Sequence, residues 1–520
     1  MPIMIGRNSP NSYRIESIVI SNNEGNSYDV SNIFETFTIT ESIYQMFLTG
    51  SITILDGTNL FNRIGFTGQE YIRIHVAGIQ GNEETVPYSE HIDQVFRIFN
   101  ITQIVKDIEN PKLSAYKLEF CSPLLYIART QRISQCYRGK TSDIIHKICL
   151  DKLKFEEEKA RDKGLRNEVK PRKSGGKELG NFFSVFDASV GDSHGVVIPN
   201  WSVFKALRWL RDHTSEDSVQ PYGDSYYLYQ TCMNGFKFHS VESMRRVEYL
   251  DGDITFAPRM GSGDDNFNYD FEDGTGNDIL AYSIINNGNV IESNQRGLYG
   301  GQVQSYNPLS KMYTSFDAEF NQQFEVDDKG AYKKKRETFA THPSFRLDME
   351  KVMIPPDGGV VGESLPNAVA AGFELSRITE NHDNAVDFRY NTPFTMTQGV
   401  HASGSSATYS GTEINKLNRD RVEQLFKNNR INIQISGRTN ISCGTTIKVD
   451  IKQPTTTNVV RDSYTHNGSL LVEGITWIGT ENGLETQLSC TSDGHLVPCL
   501  LYTSDAADDT PCVDLGGRRI

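Results

Sequence analysis

Short runs in which apolar and polar residues alternate dominate residues 13–122, and this alternation limits the fold more than any other feature. The segment "EYIRIHVAG" (70–78) places Ile72, Ile74 and Val76 on one face, with polar or aromatic residues between them. A period of two is typical of strands that bury one side. Similar segments are "FETFTIT" (34–40), "GSITILDGTNL" (50–60), "VFRIFNITQIV" (95–105) and "SAYKLEFCS" (114–122). Several short strands separated by turns predict an antiparallel barrel or sandwich.

The same texture returns near the other end of the sequence. A helix is predicted at residues 413–430, with Ile414, Leu417, Val422 and Leu425 facing inward. The strands predicted after it are "INIQISG" (431–437), "GTTIKVDIKQ" (444–453), "GSLLVEGITWIG" (468–479) and "GLETQLSC" (483–490). The pattern therefore predicts a second antiparallel barrel-like unit.

Between these two regions the period changes to that of helices. Helices are expected in "CSPLLYIARTQRI" and in "KTSDIIHKICLDKL", the second with Ser142 as its N-cap. In "VVIPNWSVFKALRWLRDH" (196–213) a docking loop is expected to enter a helix capped by Ser202. A hairpin with its turn at Asn234-Gly235 is expected at 225–240. Helices and a hairpin are therefore predicted between the two strand-rich regions.

Composition excludes several classes of protein. Hydrophobic residues make up 37% of the 520 residues and charged residues 23%, as in globular proteins. The net charge of −14 argues against binding the phosphate backbone of nucleic acid as the main function. No apolar run approaches the roughly 20 residues of a membrane span, and no secretory signal is recognised. Buried reduced thiols are expected for six of the eight cysteines: Cys121, Cys136, Cys149, Cys232, Cys443 and Cys490.

Three stretches have weak periodicity. The charged run at 154–180 is interpreted as a solvated helix or insertion, with contact to a polyelectrolyte as the alternative. The Gly- and Asp-rich segment 250–276 is interpreted as a solvated loop. A calcium site is the alternative there, although the acidic residues do not match EF-hand spacing. Residues 331–412 are predicted to be irregular or inserted.

We find no sequence signature of catalysis. The chain lacks H-E-x-x-H, G-x-S-x-G, a Walker loop and a dinucleotide-binding glycine motif, and its histidines have no ligand spacing. Trp201 and Trp209 are predicted to pack in a core, with an aromatic ligand cage as the alternative. A glycosidase carboxylate pair cannot be selected from so many acidic residues. We therefore predict a structural protein that is not an enzyme, with no catalytic, cofactor-binding or metal-binding residues and no cofactor.

Longer segments, taken in order, carry a family resemblance. "ESIYQMFLTGSITILDGTNLFNRIGFTGQEYIRIHV" (41–76) resembles the N-terminal domain of phage baseplate central hub proteins, the T4-like hub family. "IPNWSVFKALRWL" and "GFKFHSVESM" resemble the middle domain of that family. "NRINIQISGRTNISCGTTIKVDI", "GSLLVEGITWI" and "LETQLS" are similar to its closing barrel. The resemblance covers most of residues 13–490, and nothing is carried over to 154–180 or to much of 331–412.

This resemblance implies an α+β fold, mostly β, in which two tail-tube-like antiparallel β-barrel domains flank an inserted α/β domain. It implies a homotrimeric ring in the virion tail baseplate, made in the host cytoplasm. The ring would adapt a sixfold tail tube to a threefold central spike and leave a channel through which DNA passes without specific binding. The implied partners are the central spike or tail lysozyme protein, tail tube proteins and surrounding wedge proteins, with no membrane insertion.

Two other functions remain as alternatives. The first is a hub or spike-base component of another contractile injection system, which usually carries a spike in the same chain. The second is a tail-associated cell-wall hydrolase, for which a fused lysozyme or peptidase domain would be expected. Neither a long C-terminal β-helix repeat nor a hydrolase motif is seen in the sequence.

Domain boundaries follow from these patterns. The predicted segments are a first tube-like barrel (1–122), an inserted α/β domain (123–270), the start of the second tube-like domain (271–330), an irregular or inserted region (331–412), the second barrel (413–498) and a non-native tail (499–520). The tail is set apart because "CLLYTSDAAD" (499–508) and "VDLGGRRI" (513–520) resemble one reading frame of a translated sequencing adapter and primer. We predict that resequencing the source DNA across the codon for Pro498 will not continue into these 22 codons.

Overall fold

The structure is a computed structural model that describes most of the two strand-rich regions and much of the domain between them. The residues it describes are 3–5, 13–80, 84–85, 91–106, 113–155, 183–187, 189, 194–214, 225–233, 235–245, 255–258, 278–286, 300–307, 312–319, 324–326, 332–334, 394–398, 419, 423, 426, 429–454, 460–462 and 468–492. The fold is α+β and mostly β, with antiparallel sheets on either side of an α/β domain.

The first unit is an antiparallel sheet in the order β1-β2-β6-β8-β9-β5-β4, with β3 beside β2 and β7 beside β6. Its elements are β1 (Ile3–Ile5), β2 (Tyr13–Ser21), β3 (Ser27–Asp29), β4 (Phe34–Ser42), β5 (Thr49–Asp56), α1 (Leu60–Ile64), β6 (Tyr71–Gln80), β7 (Glu84–Thr85), β8 (Ile92–Lys106) and β9 (Ser114–Cys121). The alternation predicted for β6 is confirmed, because Ile72, Ile74 and Val76 are fully buried. In β4, a bulge between Phe34 and Thr36 shifts the alternation, so that both Phe34 and Phe37 point inward.

The inserted domain packs four helices against short sheets. Its elements are α2 (Pro123–Thr130), β10 (Arg132–Gly139), α3 (Thr141–Leu153), β11 (Phe183–Phe186), β12 (His194–Ser202), α4 (Val203–Asp212), β13 (Tyr226–Thr231), β14 (Gly235–Ser240) and α5 (Val241–Arg245). β10 pairs with β12, and the β13–β14 hairpin pairs with β11. The predicted hairpin is confirmed. Ser202 caps α4 as predicted, because its side chain accepts a hydrogen bond from the Lys205 amide at 3.3 Å.

The second unit is formed by strands from the later part of the chain. The remaining elements are β15 (Thr255–Pro258), β16 (Asp278–Asn286), β17 (Gly300–Asn307), β18 (Met312–Glu319), β19 (Phe324–Val326), β20 (Tyr332–Lys334), β21 (Phe394–Gln398), β22 (Asn429–Ser436), β23 (Thr446–Val449), β24 (Lys452–Pro454), β25 (Val460–Asp462), β26 (Gly468–Thr480) and β27 (Gly483–Thr491). The unit itself has the order β15-β23-β26-β27-β22-β16. The others form small separate sheets: β18-β17-β21, β19-β20 and β24-β25.

Five strands of the two units form the same ladder, in a register that matches except at one further bulge of β8, between Ile101 and Gln103, which β26 lacks. The order β6-β8-β9-β5-β4 of the first unit corresponds to β23-β26-β27-β22-β16 of the second. Two bulges also coincide, at Phe34/Thr36 with Ile279/Ala281 and at Ile98/Asn100 with Val472/Gly474. Corresponding pairs, first unit before second, are Phe37↔Ile52 with Tyr282↔Ile433, Ile52↔Leu118 with Ile433↔Leu488, Arg97↔Cys121 with Leu471↔Thr491, and Tyr71↔Arg97 with Thr446↔Leu471.

The sixth strand breaks this correspondence. β2 runs antiparallel to β6, whereas β15 runs parallel to β23. The sheets are not the closed barrels that the sequence predicts. In the first unit, no ladder joins β2 to β4 among the described residues. In the second unit, the only link between β23 and β16 among the described strands is the short strand β15, which forms two residue pairs with each of them. Instead, β4 pairs with β26, so the two units form one continuous sheet.

Three local predictions in the inserted domain are wrong. Ser142 lies inside α3, whose N-cap is Lys140. Residues 194–202 form strand β12 rather than a loop, because they pair along β10. Cys136 is exposed, because alternation along β10 places it on the face opposite Ile133 and Tyr137, while the other five cysteines named above are buried and free.

Several predictions fall on residues outside those described. They are the charged run 154–180, except for 154–155, nearly all of 250–276, most of 331–412, the inward residues Ile414, Leu417, Val422 and Leu425, and the tail 499–520. Within 413–430, Arg419, Glu423 and Phe426 are helical, and Phe426 is fully buried.

Candidate functional site: a shared sheet edge and a buried charged node

The junction of β4 with β26 gives the molecule its continuous sheet. Seven residue pairs join the strands, from Gly474↔Ser42 to Thr480↔Thr36. β26 divides one of its edges between two partners, because residues 468–471 pair with β23 and residues 474–480 with β4. The backbone groups of β4 are thereby paired on both sides, which removes an exposed strand edge.

Side chains are closely fitted at this junction. Phe37 and Ile39 of β4 are fully buried, and Trp477 of β26 lies opposite Ile39 and is also fully buried. A Cβ atom at Gly479 would lie 2.1 Å from the Phe37 ring, so glycine at this position leaves room for that ring. The indole nitrogen of Trp477 donates to the Arg438 carbonyl at 3.0 Å, which satisfies its one polar group.

A buried carboxylate, Glu41, lies at the end of the same junction. The side chain of Glu41 is on the inward face of β4, two positions beyond Ile39, and the residue is 1% exposed. Its two oxygens accept backbone N–H bonds from Cys443 at 2.5 Å and from Cys232 at 2.8 Å. Burial raises the pKa of Glu41, and these two amides together with Lys237 act in the opposite direction. One carboxylate therefore ties the first unit to the inserted domain and to the second unit.

Glu41, Lys237 and the groups that bond to them form a buried charged cluster, called the node below. Lys237 of β14 supplies its cation. Its ammonium group donates to the Ser442 hydroxyl at 3.1 Å and to the Cys443 carbonyl at 3.2 Å. Burial lowers the pKa of Lys237, an effect opposed by the nearby charge of Glu41. The hydroxyl of Tyr229 also donates to the Cys443 carbonyl, at 3.4 Å. The node is therefore a bridge of charged and polar bonds between three parts of the chain.

A second buried carboxylate, Glu473, lies on β26. It accepts a hydrogen bond from the Tyr44 hydroxyl at 2.5 Å and forms an ion pair with Arg430 at 2.9 Å. Glu473 is 2% exposed, so the stability of its buried negative charge depends on these two donors. Tyr44 follows β4 and Arg430 lies on β22, so this carboxylate also joins the two units.

The chemistry of the node is that of a structural contact. Glu41 and Glu473 are buried, and their carboxylate oxygens accept hydrogen bonds from other residues of the chain. Burial raises the pKa of the Cys443 thiol well above its usual value, which disfavours the reactive thiolate. Within the part of the chain that the structure describes, no three His, Cys, Asp or Glu side chains are placed to hold a metal ion.

Neither Glu41 nor Lys237 was predicted from the sequence as a residue of this site. A signal was present for Glu41, because it continues the inward alternation of Phe37 and Ile39. No comparable signal marked Lys237, since every residue of β14 after Gly235 is buried between other elements. Trp201 and Trp209 pack against the core of the inserted domain with ring centroids 6.0 Å apart, as the core-packing interpretation predicts.

The second unit carries an edge that is open. β16 pairs with β22 along Ile279–Asn286, and with β15 only near its start. Among the described strands, none pairs with the other edge of β16 from residue 280 onward. Its apolar side chains are correspondingly exposed: Leu280 36%, Tyr282 43%, Ile284 38% and Ile285 38%.

Comparisons with known proteins return likenesses of structure only. No family model and no curated protein matches the sequence. The chain is similar to the 43 kDa tail protein of prophage MuSo2 from Shewanella oneidensis, with 9% identity, TM-score 0.45 and coverage of 92% of this chain and 98% of that one. It is similar to a tail protein of Neisseria meningitidis MC58, with 9% identity, TM-score 0.43 and coverage of 92% and 97%.

A third likeness is to the E. coli c3393 protein, a type VI secretion system component described as structurally similar to the T4 bacteriophage tail proteins gp27 and gp5. Identity is 9%, the TM-score is 0.35, and 96% of this chain and 80% of that one are covered. In the described part of the chain, no helix has the length and apolar character needed to cross a membrane.

Proposed function

We propose that this chain is a structural hub subunit of a contractile phage tail, and that three copies form a ring joining a sixfold tail tube to a threefold spike. The observation that carries the proposal is the repeated ladder: one chain contains two units joined edge to edge that share the order of five strands, two bulges and most of their register. Three such chains would present six similar units, which is the number a sixfold tube requires.

The sequence resemblance supports the same function. Its segments fall in both units and in the inserted domain, so it does not depend on one motif. The buried node is consistent with a structural role, because it fixes three parts of the chain relative to one another by bonds that no solvent-borne substrate can reach. Since a fold alone does not establish a function, the proposal needs a direct test of assembly.

The decisive measurement is the molar mass of the full chain by light scattering, alone at tens of micromolar and after co-expression with the candidate spike protein of the same particle. We expect three copies of the chain per complex. A chain that remains a monomer in both samples would rule the ring out. The interface should be large, on the order of 2,000 Å² or more in total, as for obligate assemblies.

We also propose that the chain has no catalytic activity and that DNA crosses the ring without specific binding. The net charge of −14 is compatible with a channel that does not retain DNA. Zymography on bacterial cell walls with the purified chain should show no clearing. Clearing that a single carboxylate substitution abolishes would instead favour a cell-wall hydrolase.

A further inference from the structure

The repeated ladder has a covered edge in one unit and an open edge in the other. β4 and β16 hold the same place in the two ladders, with Phe37 corresponding to Tyr282 and Ile39 to Ile284. Phe37 and Ile39 are fully buried, because β26 lies on the far side of β4. Tyr282 and Ile284 are 43% and 38% exposed, because no described strand occupies that side of β16.

An open edge of this kind needs a partner. The segment Ile279–Ile285 contains no charged residue and no proline, which are the usual means of protecting an edge strand. Its exposed backbone groups and apolar side chains would favour pairing with another strand. The internal junction indicates which strand fits, because it shows what covers β4.

The strand that covers β4 is β26, and the counterpart of β26 in the first unit is β8. Residues 474–480 of β26 pair with β4 on the edge that residues 468–471 share with β23. On the corresponding edge of β8, residues 92–97 pair with β6, and no described strand pairs with residues 100–106. Asn100 and Thr102 in that stretch are exposed.

We propose that the open edge of β16 pairs antiparallel with residues 100–106 of β8 in a second copy of this chain, in the register of the internal junction. Thr476 lies opposite Gln487, and its counterpart Gln103 lies opposite Lys117. Thr476↔Thr40 of the internal junction then becomes Gln103 of the partner subunit opposite Ile285. The partner offers its β8 and keeps its own β16 for the next copy. Such a head-to-tail contact closes a ring when the rotation allows it, and the assignment rests on the proposed trimer.

Disulfide cross-linking tests the register directly. Gln103→Cys and Ile285→Cys are combined in one full-length chain, in a background where Cys136, Cys499 and Cys512 are replaced by serine. The assembled sample is then oxidised with copper-phenanthroline. Directly opposed residues in a ladder have Cα atoms about 4.5–5.5 Å apart, within the range for a disulfide. We expect a covalent trimer on a non-reducing gel, which collapses to monomer on reduction.

The matched control is Gln103→Cys with Ser283→Cys. Ser283 is on the same face of β16 as Ile285 but two residues out of register, which places the pair roughly 7–8 Å apart. We expect at least fivefold less covalent product from this pair. A trimer by light scattering that shows no excess for the in-register pair would overturn this assignment and leave the proposed ring intact. A monomer under all conditions would overturn both.

A charge on the open edge provides a second test. Ser283→Lys should weaken assembly at least tenfold, because a lysine on the strand edge opposes pairing. Asn26→Lys, at an exposed turn of the first unit, should leave assembly unchanged. Both variants should keep the far-ultraviolet circular dichroism of the parent chain. Assembly of Ser283→Lys equal to that of Asn26→Lys would contradict the assignment.

Discussion

Phe37 and Tyr282 lie at the same position of the same ladder, yet Phe37 is fully buried and Tyr282 is 43% exposed. Their strands have the same neighbours on one side, β5 and β22, which correspond to each other. The difference comes from the other side, where β26 covers β4 and the described structure has no strand beside β16. Burial of an aromatic residue in a sheet thus depends on the strand at the other edge of its own strand as much as on its own strand.

The largest effect is expected from removing the two aromatic rings in turn. Phe37→Ala should lower the free energy of unfolding by about 3–5 kcal/mol, since the ring is enclosed in the core. Tyr282→Ala should change the stability of the isolated chain by no more than about 0.5 kcal/mol, because its ring lies at an exposed edge. Urea denaturation below the concentration of assembly measures both. Similar losses for the two variants would show that β16 is already covered.

A smaller loss of stability is expected from a substitution at Glu41. Glu41 of the covered strand β4 corresponds in the repeated ladder to Asn286 of the open strand β16. Glu41→Gln replaces an acceptor oxygen by an NH₂ group, so one of the amides of Cys232 and Cys443 loses its acceptor. An unsatisfied buried donor costs about 1–3 kcal/mol. Glu35→Gln, on the exposed face of the same strand, is the matched control and should leave the urea midpoint unchanged. If the two glutamine variants unfold at the same midpoint, the node does not stabilise the covered edge.

The smallest effect is a pH dependence of the free energy of unfolding, which arises in the inserted domain, packed on the covered edge. Burial, with Lys237 nearby, lowers the pKa of His239 to about 3, and its imidazole lies 3.1 Å from the Ser243 hydroxyl and 3.8 Å from Asp187. The folded pKa is below the unfolded value of about 6.5, so this histidine favours unfolding as the pH falls below 6.5. Between pH 6.5 and 5.5 the loss should be about 1 kcal/mol.

The control for this pH dependence is His239→Gln, which cannot gain the proton. Its unfolding free energy, measured by urea denaturation at each pH, should fall less steeply than that of the parent chain over the same interval. Parallel pH profiles for the two proteins would mean that His239 is not the group that titrates on unfolding.

Local patterns in the sequence determined many elements of this protein. Alternation predicted β5, β6, β8 and β9, and an Asn-Gly pair predicted the β13–β14 hairpin, because neighbours in sequence supply the relevant contacts. The cap of α4 at Ser202 was also correct, since a cap involves only the next three residues. The cap predicted at Ser142 was wrong, because several residues at the start of α3 satisfy the same local pattern. The helix begins directly after Lys140.

The tertiary structure alone decided which edges meet. β4 and β26 are more than 400 residues apart, and neither strand carries a mark of its partner, so separate closed barrels were predicted where one continuous sheet forms. The same holds for Glu41, whose two amide donors come from residues 232 and 443. Alternation defines the face of a strand that is buried. The occupant of its edge depends on backbone hydrogen bonds, which are the same for every residue except proline and so leave no pattern in the sequence.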